Sequence, residues 1–133
     1  MNELKIKRAY QPAEESDGMR ILVDRLWPRG VSRERARLDR WAKEITPTPA
    51  LRNWFGHQQD LFEEFSWKYR QELSENPAAE AFARDIAAEL KTRNVTLVYA
   101  AKSETCNHAL ILRDWLLETM HGKAADESND AAD

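Results

Sequence analysis

The amino-acid sequence predicts a small layered α/β domain with a short, mostly parallel sheet and about five helices. Three apolar segments, at residues 4–10, 19–24 and 95–101, are typical of β-strands. Between and after them, large apolar residues recur every three or four positions, which indicates helices that bury one face. A chain of 133 residues can form one hydrophobic core, which we expect over residues 1–121.

The three strands differ in their patterns. In the first, Leu4 and Ile6 alternate with lysines, which is typical of a strand toward an edge of the sheet. The loop 11–18 is short for a parallel crossover, so the direction of this strand relative to the second stays open. The other two segments are almost continuously apolar, as in strands that are buried on both faces.

Capping residues predict where the first helices begin. Ser32 is placed to cap a helix that runs through Trp41, and in that helix Trp41 and Ile45 would share one face. Thr48 is placed to cap a short helix at 49–55.

The later helices have start and stop signals of their own. A capping box of Asp60 and Glu63 predicts a helix to about residue 75. The next helix is predicted to start at Asn76 and to have its C-cap at Asn94. The last helix is predicted to start at Ser103 or Thr105 and to end at Gly122. Residues 122–133 are small and acidic, and we expect them to form a disordered tail.

Composition bounds the class of protein. Apolar residues make up 42% of the chain and charged residues 32%, which indicates a soluble globular domain. No apolar run approaches the ~20 residues that span a bilayer, and the first residues lead into a strand-like pattern without a signal-peptide core. Cys106 is the only cysteine, which excludes an internal disulfide and favours a reducing cytoplasm.

The net charge of −3 conceals an asymmetry. Residues 20–43 hold eight Lys/Arg against three acids, whereas residues 60–89 hold eight acids against three Lys/Arg. Either the two segments are solvated faces that attract one another, or the basic segment binds an anion. A protein that coats nucleic acid usually carries a clear positive excess, so the overall balance argues against that class.

Polar side chains follow both buried strands at the point where each ends. Asp24, Arg25 and Arg29 come after one strand, and Lys102 and His108 come after the other. If these strands are parallel neighbours, the side chains meet at the edge of the sheet where α/β proteins bind ligands. The N-terminus of the last helix adds free N–H groups there. The sequence therefore predicts an anion site at this edge.

The site residues are assigned by their chemistry. His108 and Asp24 are the catalytic candidates, because a histidine exchanges protons near neutral pH and a carboxylate acts as a base or orients an arginine. A hydrogen-bonded structural histidine and a structural ion pair are the alternatives. The residues predicted to bind the ligand are Arg8, Arg25, Trp27, Arg29, Lys102 and Asn107. Arginine forks match phosphate or carboxylate, and Trp27 either plugs its own loop or stacks on a base.

The sequence favours neither a metal site nor a cofactor. The histidines lack metal-ligand spacing, and the glycine-rich dinucleotide, P-loop and esterase motifs do not occur. We expect His57 and His121 on the surface. Cys106 is interpreted as an inert core residue rather than a nucleophile.

Several strings in this chain resemble the YeaO-like branch of domain-of-unknown-function family 488. They are LVDRLWPRGVS at 22–32, LDRWAKE at 38–44, LRNWF at 51–55 and LVYAAK at 97–102, followed by NHA at 107–109. The likeness covers about residues 4–117 and implies a small Rossmann-like domain of three or two layers. The wider family tends to carry a Cys-His-Arg motif after the last strand. Only its histidine matches here, as His108, between Asn107 and Ala109.

Three functions follow as hypotheses. The first is a cytoplasmic protein that binds an anionic small molecule, a nucleotide or phosphometabolite, with acid–base chemistry at His108. The second is a nucleic-acid-binding module built on residues 20–43. The third is a non-catalytic interaction protein, since five tryptophans are many for one small core and Trp67 falls off the apolar stripe of its helix. No membrane partner is expected.

Overall fold

Four strands form a single sheet whose pairings are all parallel. The computed structural model describes residues 2–132, and the side chains of residues 2–121. The strands are β1 (Leu4–Arg8), β2 (Met19–Leu22), β3 (Arg40–Trp41) and β4 (Val95–Tyr99), in the spatial order β1-β4-β2-β3. β2 and β4 are neighbours, with Leu22 opposite Val98, so the predicted parallel pair is confirmed. β1 lies at an edge and runs in the same direction.

Five α-helices among the described residues complete the predicted α/β domain. They are α1 (Arg33–Ala36), α2 (Pro49–Phe55), α3 (Phe62–Glu75), α4 (Pro77–Glu89) and α5 (His108–Ala132). The side-chain oxygens of Ser32, Thr48 and Asn76 accept hydrogen bonds from the first turns of α1, α2 and α4, which confirms these three caps. Within the described part of the chain, no helix combines the length and the apolar character that crossing a bilayer requires.

The predicted helix through Trp41 is wrong, because α1 ends after about one turn. Arg37 adopts a left-handed backbone (φ 46°) that stops the helix. Asp39 then accepts a hydrogen bond from the Arg20 N–H at 2.9 Å, which leads the chain into β3. Trp41 and Ile45 consequently pack in different apolar clusters rather than on one helix face.

The start of α3 also differs from the prediction. A 3₁₀ turn (Gln59–Leu61) precedes the helix, and no side chain caps its first turn, so Asp60 and Glu63 form no capping box there. α4 ends at Glu89, before the predicted C-cap at Asn94.

The last helix begins and ends away from the predicted residues. Asn107 caps it, and its Oδ1 accepts from the Leu110 N–H at 2.8 Å. The backbone of α5 continues past Gly122 to Ala132. The predicted tail 122–133 lies outside the residues whose side chains are described, and its disorder stays a prediction.

The sheet separates two apolar clusters. The larger one lies between the sheet and helices α3, α4 and α5, and its members include Ile21, Leu97, Tyr69 and Leu112. The smaller one comprises Ala9, Leu22 and Val98 with Trp27, Leu38 and Trp41 packed against them. Because consecutive strand residues point to opposite faces, β2 and β4 contribute to both clusters and are buried, as their continuous apolar runs predict.

The connection from β1 to β2 spans residues 9–18 and contains only a 3₁₀ turn (Glu15–Asp17). Gly18 ends this turn at φ 65° and ψ −130°, a region that is essentially restricted to glycine. A Cβ at this position would lie 1.9 Å from the carbonyl oxygen of Asn94. The absence of a side chain at Gly18 therefore lets the connection pass close to the residue that precedes β4.

A buried carboxylate fixes the same connection to the sheet. Asp17 Oδ2 lies 2.6 Å from Arg20 Nη1, and Asp17 Oδ1 lies 3.1 Å from Lys7 Nζ. Burial by itself would raise the pKa of Asp17. The hydrogen bonds from the Glu14 N–H, Lys7 and Arg20 outweigh burial and hold this pKa below its ordinary value of 3.8.

Candidate functional site

The carboxyl ends of β2 and β4 open into a cleft of about 640 Å³. The predicted site residues that line it are Asp24, Arg25, Trp27, Arg29, Lys102 and His108. They meet because β2 and β4 are parallel neighbours, so the loops that follow both strands lie at the same edge of the sheet.

The lining of the cleft is strongly basic. Arg25, Arg29, Arg52 and Lys102 contribute permanent or near-permanent positive charges, whereas Asp24 is the one carboxylate that the described residues contribute. None of the four basic side chains has a described carboxylate within ion-pair distance. A cleft of this sign concentrates anions.

Asp24 and His108 form a pair at the floor of the cleft. His108 Nε2 lies 3.0 Å from Asp24 Oδ1 and 2.8 Å from the carbonyl oxygen of Val23. The aligned hydrogen bond goes to the carbonyl, and Asp24 Oδ1 is buried without an aligned donor among the described residues. The carboxylate therefore acts on the imidazole by charge and proximity more than by a directed hydrogen bond.

Backbone groups hold the Asp24 carboxylate in place. Its Oδ2 accepts from the Ala100 N–H, just past β4, at 2.8 Å. The main-chain oxygen of Asp24 accepts from the Trp41 indole at 2.7 Å. Asp24 thus ties the end of β2 to β3 and to the end of β4.

The surroundings of His108 fix the tautomer of its ring. A carbonyl oxygen only accepts hydrogen bonds, so Nε2 must carry a hydrogen when it contacts Val23. Tyr69 packs edge-on against the ring, with centroids 6.4 Å apart, and its hydroxyl donates to the Ile45 carbonyl oxygen at 2.6 Å. Burial raises the pKa of Tyr69 well above its ordinary value, so Tyr69 is a neutral wall beside His108.

Arg25 has unsatisfied hydrogen-bonding capacity. Its Nη2 donates to the Pro47 carbonyl oxygen over a long 3.3 Å, and its Nε is buried without a partner among the described residues. An unpartnered buried N–H costs free energy, so an anion that reached this guanidinium would be favoured.

Trp27 is partly buried and supports its loop. Its indole N–H donates to the Val31 carbonyl oxygen at 2.6 Å, and its ring packs edge-on against Trp41 with centroids 5.5 Å apart. The guanidinium of Arg33 covers Trp27, 5.2 Å from the centroid. These contacts favour the loop-plugging interpretation of Trp27, although the residue also lines the cleft.

Two of the predicted ligand-binding residues do not line the cleft. The side chain of Asn107 is buried and used by the α5 cap, where its Nδ2 also donates to the Ser103 carbonyl oxygen. Arg8 donates through Nε to the Ala101 carbonyl oxygen at 2.9 Å and stacks over the ring of Tyr10. Because Ala101 and Tyr10 do line the cleft, Arg8 supports its wall from behind.

The cleft has a third wall that the sequence did not predict. Arg52, His57 and Gln59 come from α2 and the turn after it. Gly56 and His57 both have positive φ (53° and 59°) and turn the chain back toward the strand ends. The string LRNWF at 51–55 carries part of the family resemblance. The position of this wall, however, depends on how α2 packs, and no local pattern encodes that. Cys106, which we expected in the core, is instead half-buried and lines the cleft.

Comparison with known proteins shows which family this chain is similar to. The family model described as the inactive DUF488-N3 subclade matches residues 3–132. The chain is 47% identical to the uncharacterized protein YeaO of Escherichia coli over 113 residues, which cover 85% of this chain and 96% of that protein. It is 34% identical to the uncharacterized protein Rv3073c of Mycobacterium tuberculosis, over 85% of this chain and 92% of that one. No solved structure matches significantly.

Proposed function

The chain belongs to the inactive DUF488-N3 subclade, and from this premise we propose that it binds an anionic small molecule, a nucleotide or another phosphorylated metabolite, in the basic cleft. The word inactive in the description of the family favours binding without turnover. An acid–base role for the pair of Asp24 and His108 is the alternative within the same site.

The observation that carries the proposal is the charge of the cleft. Four basic side chains line it without a described carboxylate partner, and Asp24, the one acid among its described lining residues, already lies against His108 and the Ala100 N–H. Outside the cleft, some basic side chains meet acids, as Arg40 does with Asp85 and Arg70 with Glu118, whereas others, such as Arg35, are exposed on the surface. Four unpaired positive charges gathered in one concave region favour an anionic ligand.

Titration calorimetry and thermal shift with a panel of nucleotides and sugar phosphates test the proposal. We expect a phosphorylated compound to stabilise the wild type, and we expect Arg29→Ala and Arg52→Ala to weaken its binding by about tenfold or more, since a charge-assisted contact contributes roughly 1.5–3 kcal/mol. The weakening should be smaller at high ionic strength.

Arg35→Ala is the matched control. It removes an exposed arginine of α1 that does not line the cleft, so affinity should change by less than about twofold. If no anion stabilises the wild type, or if Arg35→Ala weakens binding as much as Arg29→Ala does, the proposal fails.

The nucleic-acid alternative draws less support from the structure. Two arginines of the segment 20–43 are occupied by acids, Arg20 by Asp17 and Arg40 by Glu44 and Asp85. The interaction alternative has one supporting observation, since Trp67 is 60% exposed. Fluorescence anisotropy with DNA and RNA at low salt tests the nucleic-acid alternative, because binding through phosphates would weaken steeply as salt is added.

A cytoplasmic location is part of the proposal. A reducing compartment suits the single unpaired cysteine, Cys106, and phosphorylated metabolites are abundant there.

A further inference from the structure

We infer that the cleft selects phosphate esters that also carry a hydroxyl group, because His108 offers the lone pair of its Nδ1 to a hydrogen-bond donor on the ligand. The inference rests on the proposed function, since the basic side chains must first hold the phosphate.

The ring of His108 has one nitrogen occupied and one open. Nε2 carries a hydrogen, because it lies 2.8 Å from the Val23 carbonyl oxygen, which only accepts. In the neutral ring, Nδ1 is then the acceptor. Nδ1 makes no hydrogen bond to a described residue, and the atom keeps contact with solvent. The ring lines the cleft with 18% of its side chain exposed, so the Nδ1 lone pair is open to a ligand.

The end of the cleft near His108 disfavours a bare oxyanion. The Asp24 carboxylate lies 3.0 Å from the same imidazole, so a second group that only accepts hydrogen bonds would meet a lone pair and a negative charge. A hydroxyl group is both donor and acceptor and carries no charge. It can donate to Nδ1 without repulsion, while the phosphate of the same molecule lies among Arg25, Arg29, Arg52 and Lys102.

The geometry therefore separates two tasks. The arginines and the lysine supply affinity for the phosphate, and His108 distinguishes a hydroxylated ester from a plain alkyl ester. Asp24 does not contact the ligand in this scheme, since its Oδ2 is held by the Ala100 N–H and its Oδ1 is buried. It is a positioning residue that acts through the imidazole of His108, 3.0 Å away.

Two compounds of nearly equal size test the selection. Glycerol 3-phosphate and n-propyl phosphate share a phosphate monoester and three carbons, but only the first has free hydroxyl groups. We expect the wild type to bind glycerol 3-phosphate about two- to tenfold more tightly in titration calorimetry, as one neutral hydrogen bond allows. His108→Phe should bind both compounds equally. Arg29→Ala should weaken both by the same factor and leave their ratio unchanged.

Imidazole ¹⁵N spectra of the wild type give a readout that does not depend on a variant folding. Glycerol 3-phosphate should shift the His108 Nδ1 resonance in the direction of hydrogen bonding, and n-propyl phosphate should leave it in place. Equal affinities of the wild type for the two compounds, or an Nδ1 resonance that glycerol 3-phosphate does not move, would overturn the inference and leave the proposed function standing. Failure of both compounds, and of every other phosphate ester, to bind would overturn the proposed function as well.

Discussion

At the scale of single residues, Asp24 unites the site. One of its carboxylate oxygens accepts from the backbone beyond β4, the other lies beside His108, and its main-chain oxygen binds the indole of Trp41. The sequence correctly predicted that Asp24 and His108 lie together beyond the carboxyl ends of β2 and β4. It did not reveal that the imidazole N–H would point at the Val23 carbonyl oxygen, because that direction depends on the rotation of α5 against β2.

Asp24→Asn should strengthen the binding of anions. The amide oxygen can still accept from the Ala100 N–H, while the negative charge in the basic cleft disappears. A unit charge several ångströms away in a partly solvated cleft contributes on the order of 1 kcal/mol, so affinity for n-propyl phosphate in titration calorimetry should rise about fivefold.

Asp85→Asn is the control for Asp24→Asn, because it makes the same change of charge on the exposed surface of α4, where Asp85 pairs with Arg40. It should leave affinity nearly unchanged. Weaker binding by Asp24→Asn would show that the carboxylate contributes to the ligand site rather than opposing the anion.

At the scale of elements, the connection between β1 and β2 is the part of the fold whose direction the sequence left open. Residues 11–18 are short for a parallel crossover, yet they join two parallel strands across β4. A close backbone approach at Gly18 and a buried carboxylate at Asp17 make the short path work. Both are single-residue features without periodicity, so no pattern in the sequence predicts them.

Gly18→Ala should destabilise the protein severely. The new Cβ would lie 1.9 Å from the Asn94 carbonyl oxygen in a conformation at φ 65°, and backbone atoms cannot yield as a flexible side chain can. Urea unfolding should show a loss of several kcal/mol, or no folded protein at all.

Gly30→Ala is the comparison for Gly18→Ala. Gly30 also has positive φ, but a Cβ there meets nothing within 4 Å, so only the backbone penalty of roughly 1–2 kcal/mol applies. Equal losses in the two variants would refute the steric argument at Gly18.

Asp17→Asn should remove stability at neutral pH and much less in acid. The folded protein holds the pKa of Asp17 below 3.8, so the carboxylate stabilises the fold fully above that ordinary value, and this contribution is lost as the pH falls through the lower folded value. At pH 7 the variant leaves Arg20 buried without its partner, which costs on the order of 3–5 kcal/mol. Urea unfolding from pH 7 to pH 3 measures the difference, and a difference that does not change with pH would contradict this account.

At the scale of the whole molecule, the sequence predicted the frame better than the walls of the site. Continuous apolar runs predicted that β2 and β4 are buried, and the hypothesis that they are parallel neighbours is confirmed. The loops after these two strands supply most of the cleft. β3 has only two residues and no pattern of its own. The wall that contains Arg52 and His57 depends on long-range packing. The basic segment 20–43 and the acidic segment 60–89 do contact one another, as the pair of Arg40 and Asp85 shows. The basic side chains of the cleft are not neutralised in this way by any described acid.

The all-parallel sheet has a consequence for how the chain reaches its native state during synthesis. β4 pairs with both β1 and β2, so the partner of Leu4 is Val95 and every rung of that ladder joins residues about 91 positions apart. No hairpin can form early, and β1 has no neighbour until residues 95–99 have left the ribosome. The nascent chain must therefore carry β1 unpaired through most of translation, and pairing between such distant segments makes folding slow.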